Sequence, residues 1–142
     1  MSSKIRSIQR AQNQQAAKEA TIQVSLAELV NSQSALQSLA GQVMPAPVAF
    51  KLSKIIKAVN SELKTCDETR LKLCEQYGTL NEKTNQFEFP SKTKRESLEN
   101  EYAELVKTEV TIQGERLSLD RLSNLSISAG DILALSWLIE GE

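Results

Sequence analysis

Histidine is absent from the 142 residues, and cysteine occurs only twice. The first absence excludes serine–histidine and cysteine–histidine nucleophile pairs and every histidine metal site. Cys66 and Cys74 stand eight residues apart on what reads as one helix. That is more than two turns along the axis and beyond the ~7 Å limit for a disulfide, so both are expected as free thiols and as a poor zinc pair. No apolar run approaches the ~20 residues that cross a bilayer, and residues 1–20 are polar without the apolar core of a signal peptide. The chain is therefore expected in the cytosol, or packaged from it, with no membrane partner. A formal net charge of -1 leaves no global electrostatic reason to bind nucleic acid or an anionic surface. There is no glycine-rich phosphate loop, and no DxD or ExxH spacing accompanies the carboxylates. No catalytic residue, metal or cofactor is expected, and an enzyme is the weakest of the readings.

What the chain does have is helical periodicity. Leu52, Ile56, Val59, Leu63, Cys66, Leu73 and Tyr77 step by four and three, with Arg70 the polar member of the stripe. Bracketed by Pro47 and Gly78, this seam predicts one helix of roughly 30 residues, about 45 Å long. A compact chain of this length is only about 35 to 40 Å across. The helix is thus expected to overhang its own domain and to need a partner, with a homo-oligomer as the expected state.

Elsewhere the pattern is of short elements with clear ends. Residues 1–20 read as a polar helix or arm in which Ile5 and Ile8 are the large apolar residues; alone it would be marginal, so it either frays or docks, with docking on another subunit the expected outcome. Thr21 to Ser25 alternates as a short strand, and Ser25 with Glu28 forms a capping box ahead of Leu26, Leu29, Val30, Leu36 and Leu39. Pro45 and Pro47 break the chain before the long helix. Residues 79–90 suggest a small hairpin at a tip, and Ser91 starts a helix whose Leu98, Tyr102, Leu105 and Val106 match the seam in antiparallel packing. That pairing is expected to leave the 46–60 half of the long helix uncovered. Residues 109–112, a Gln113-Gly114 turn and residues 116–119 read as a second hairpin that the first strand could join. Ser128 and Asp131 cap a C-terminal helix, apolar nearly all round through Ile132, Leu133, Leu135, Trp137, Leu138 and Ile139, that must be buried. The expected fold is mainly α with a small β element: a long antiparallel helical hairpin, a short antiparallel sheet and a buried C-terminal helix. It forms one domain over residues 21–142 behind the arm of residues 1–20.

Three groups of residues are candidates for binding. Lys51, Lys54 and Lys57 form a basic patch at the end of the long helix expected to be open, suited to an acidic partner or a phosphate, or simply solvated. Arg70 in the seam either sets helix register or partner choice, as a partner-binding residue, or snorkels to Glu96, Glu99 or Glu101 on the opposing helix. Ser91, Lys92, Lys94 and Arg95 open a helix where the macrodipole disfavours cations; an anion there would be held by backbone N–H groups and basic side chains, with Phe87 and Phe89 available to stack on a base. Glu99, Glu101, Glu104 and Glu109 lie among lysines as a solvated face does, and Trp137 reads as core or as an interface anchor.

The strand-then-helix opening, the lead-in PAPVAFKLSK, EQYG, TEVTI and the ending DILALSWLIEGE come in an order and spacing that resembles a family of small tailed-bacteriophage proteins defined only as a domain of unknown function. The resemblance covers Thr21 to Glu142, and the arm before it looks like an addition to the family pattern. It carries no catalytic motif, so no residue gains a role from it. It implies a phage origin and expression in the cytoplasm of a bacterial host. The function expected is a non-enzymatic phage protein acting by self-association and by binding other phage or host proteins, as a virion or tail-assembly component. The alternative is a small inhibitor of a host defence system that binds a host protein or sequesters a signalling nucleotide.

Overall fold

The computed structural model describes residues 20–140, so the expected N-terminal arm lies, apart from Ala20, outside the described residues. The chain opens with β1 (Thr21–Ser25) and passes directly into α1 (Leu26–Ala40). The Ser25 hydroxyl accepts the Glu28 N–H at 3.2 Å, the expected N-cap. α2 (Ala46–Tyr77) runs 32 residues without interruption, about 48 Å at ~1.5 Å per residue, with Pro at its N-terminus and Gly78 after its last turn. A tip hairpin, β2 (Thr79–Asn81) and β3 (Gln86–Glu88), turns the chain back into α3 (Lys92–Val106), whose Ser91 cap accepts the Lys94 N–H at 3.2 Å. Then follow β4 (Glu109–Gln113), β5 (Leu117–Ser118), a short 3-10 turn (Leu119–Leu122), α4 (Ala129–Ala134) and β6 (Ile139–Glu140). The protein is mainly α with a small antiparallel sheet, as the periodicities predict.

The core sits at one end of α2. Ile22 and Val24 of β1 face Ile112 of β4 across an antiparallel register pairing Ile22 with Ile112 and Val24 with Val110. The alternation sends those side chains inward and leaves Thr21, Gln23 and Thr111 to solvent. The pair is extended by the Gly114 N–H donating to the Ala20 carbonyl at 2.9 Å, and tied to the next layer by the Leu26 N–H donating to Thr108 at 3.0 Å. Onto this sheet and α2 pack Leu29, Leu36 and Leu39 of α1 and, from the C-terminal segment, Leu117, Leu122, Leu135, Trp137 and Leu138.

Three expectations are corrected. The 46–60 half of α2 is covered by its own chain: Val48, Leu52, Ile55 and Val59 are between 0% and 6% exposed, because α1, β4 and the C-terminal segment close over it. The turn at Gly114 does not make a hairpin; β4 takes β1 as its partner, and β5 pairs in parallel with β6. Gly114 has φ +141, and a Cβ there would lie 3.1 Å from Ile55 Cγ1, so the glycine lets the chain turn tightly over α2 and leave the sheet. The C-terminal helix stops at Ala134 and has no buried residue; Leu133 is 76% exposed. Burial falls instead on Leu135, Trp137, Leu138 and Ile139, in the turns and strand that follow. A rod can bury only one side against a flat layer, whereas a coiled segment can insert each of those side chains into the core.

Candidate functional site

The basic residues of α2 lie over a groove. Lys51, Lys54 and Lys57, with Ile55 and Ala58 between them, form one wall; Gln113, Gly114 and Glu115 form the other, and Ala20 closes one side of a space of about 690 Å³. Lys51 Nζ is 3.4 Å from Glu115 Oε2, and Lys54 Nζ sits 5.2 Å from the centre of the Phe50 ring. Both partners are exposed, so neither contact is a strong tether. The lysines are therefore not on a bare helix end, as the seam suggested, but on the rim of a groove with an apolar floor. Sequence reasoning found the lysines and missed the opposite wall. Glu115 is 64 positions from Lys51, and no local pattern joins them.

The residues proposed for an anion come together only in part. Phe87, Glu88, Phe89, Ser91, Lys92 and Arg95 line one open groove of about 430 Å³ at the start of α3. Its polar groups are already engaged: the Ser91 hydroxyl caps Lys94, Lys92 lies 4.0 Å from Glu96, and Arg95 Nε is 3.5 Å from Glu99. Lys94 does not line the groove.

Arg70 neither reaches the glutamates of α3 nor lies idle. Its Nε and Nη2 both donate to Asp67 Oδ1 at 3.1 Å, one turn back on its own helix, and Nη1 lies 3.9 Å from Cys74 Sγ. The residue borders two grooves, one with Val30, Gln33, Leu63, Cys66 and Tyr102, the other with Cys74, Phe87, Phe89, Arg95 and Leu98. It marks the place where cover by α1 gives way to cover by α3 and the tip hairpin. At the far end the nearby Glu101 carboxylate raises the Tyr77 pKa above the ordinary 10.0, first through hydrogen bonding to the protonated phenol, then through desolvation and its charge. The pairing follows from helical side chains leaning toward the N-terminus of their own helix.

Cys66 and Cys74 are free thiols, each 5% exposed. Burial, with Asp67 beside it, raises the Cys66 pKa against a smaller opposing pull from Arg70. Trp137 is core, its indole N–H without a partner among the described residues. Those residues contain no cluster of three or more metal-ligating side chains and no helix long and apolar enough to cross a membrane. Comparison with protein-family models, with curated proteins and with solved structures finds no match for this chain.

Proposed function

We propose that this chain is a non-enzymatic association protein of a tailed bacteriophage, made in the host cytoplasm and working as a virion or tail-assembly component. The observation that carries the reading is the thin outer half of the α2–α3 hairpin. None of the 15 residues of α3 is buried, although Leu98, Tyr102, Leu105 and Val106 face α2. Leu71 and Leu80 remain 38% and 45% exposed. Beyond Cys66, α2 continues for about 16 Å with α3 and the tip hairpin as its packing neighbours. Two helices laid side by side in water leave each other's outer faces uncovered, and such a pair gains most by packing against a third surface. A homo-oligomer or a neighbouring virion protein supplies one.

The decisive experiment is affinity purification of the full chain from infected cells, with mass spectrometric identification, beside light scattering of the pure protein. Capsid or tail proteins in the eluate, or a mass above the monomer at micromolar concentration, are the expected results. A monomer that retrieves no phage protein overturns the assembly reading. The second reading, inhibition of a host defence system by nucleotide sequestration, draws on the groove that joins Phe87 and Phe89 to Lys92 and Arg95. It requires a phosphate to displace Glu96 and Glu99 from those cations. A rise in melting temperature with cyclic nucleotides would favour it; retrieval of a host defence protein instead would favour inhibition through protein binding.

A further inference from the structure

We infer that the groove between α2 and the Gln113–Glu115 turn is a docking slot for an acidic, amphipathic segment of another protein. The inference rests on the association reading and names the chemistry of the partner. Ala58 and the aliphatic stems of the lysines supply an apolar floor, while Ile55 lies buried beneath it, covered by Gly114, where a Cβ would stand 3.1 Å from Ile55 Cγ1. Above the floor Lys51, Lys54 and Lys57 recur at every third position along one side of α2, so their ammonium groups line a rim parallel to the groove. Glu115 is the sole carboxylate among the lining residues, and it meets Lys51 in an exposed pair that another carboxylate can replace. Among the described residues Lys54 and Lys57 have no carboxylate within ion-pair distance.

Charge also separates the occupants. The segment joined to Ala20 carries Lys4, Arg6, Arg10 and Lys18 against Glu19, so it brings more positive charge to a rim already positive, in a chain whose net charge is -1. Like charge therefore disfavours that segment as the occupant. A nucleic acid would satisfy the lysines but would bring no apolar group to the floor at Ala58 and would set phosphate beside Glu115. An amphipathic segment satisfies both layers, placing apolar side chains three or four residues apart on the floor and carboxylates against the rim.

The test is fluorescence anisotropy on the full chain with a labelled helical peptide of ~16 residues, leucine on one face and glutamate on the other, beside its lysine-for-glutamate counterpart and a single-stranded DNA of similar length. Saturable binding of the acidic peptide, weakening with added salt, is expected. Lys54→Glu with Lys57→Glu should weaken it about tenfold or more, as should Ala58→Leu, which fills the floor without altering charge. Glu115→Lys should tighten it, a gain that misfolding cannot imitate. No binding of the acidic peptide, DNA binding at least as tight, or failure of Glu115→Lys to tighten binding would each overturn the slot. Should the Lys54→Glu, Lys57→Glu variant still retrieve capsid or tail proteins from infected cells, the slot is wrong and the association reading survives.

Discussion

α2 lives in two environments. Its first half, through Val59, is a post inside a core: four side chains are buried there against α1, the β1–β4 sheet and the C-terminal segment. Its second half keeps the same apolar spacing but buries only Cys66 and Cys74, with Leu63, Leu73 and Tyr77 half covered. A periodic seam therefore reports that a helix has an apolar face, and says nothing of how many layers close over it. The first half is where the stability of the fold resides. The second is where a local opening costs least, because few apolar contacts have to be broken.

The largest expected effect sits in the first half. Val59→Asp places an unpaired charge at a site with 0% exposure and should cost ~3–5 kcal/mol in denaturant unfolding, whereas Leu71→Asp in the outer half should cost less than ~1 kcal/mol. Similar losses at the two sites would erase the contrast. Next comes Gly78→Ala at the outer end, where a Cβ would meet the Glu88 carbonyl at 2.8 Å and the Phe89 ring at 2.9 Å. The backbone there is extended, φ -139, so the cost of ~1–3 kcal/mol comes from the clash and should appear as faster amide exchange in β2 and β3.

Thiol labelling sharpens the comparison further. The two cysteines are equally covered, yet Cys74 should react several-fold faster than Cys66, since opening the outer hairpin exposes one and not the other. The raised Cys66 pKa should also move its labelling profile to higher pH. Equal rates would mean that the hairpin opens as one unit with the core. A smaller gain is expected at the start of α3, whose first turn holds cations and no acid. Lys94→Glu completes a capping box with Ser91 and should stabilise by ~0.3–1 kcal/mol, read as a rise in melting temperature. The smallest signal is spectroscopic. Tyr77 holds its proton more tightly folded than unfolded, so its contribution to stability is complete below pH 10.0 and is lost as the pH rises through its folded pKa. Ultraviolet titration should place Tyr77 above 10.0 in the parent and lower in Glu101→Gln.

The sequence by itself determined what depends on neighbours within a few residues. Ser25, Ser91 and Ser128 each cap the helix they were expected to cap, α2 runs between its proline lead-in and Gly78, and the tip hairpin pairs Leu80 with Phe87. These features are set by local hydrogen bonding, φ restriction and periodicity, which a linear reading contains. Only the tertiary structure decided which half of α2 would be covered, that β4 would pair with β1 and not β5, and that burial near the C-terminus would pass from a helix to the coil after Ala134. The lysine groove belongs to that second group. Its lysines recur along one helix, but Glu115 and Gly114 reach them from more than 50 residues away, through a turn whose destination depends on where β6 is waiting. Such choices compare the burial energies of distant segments, and those energies exist only once the chain has folded.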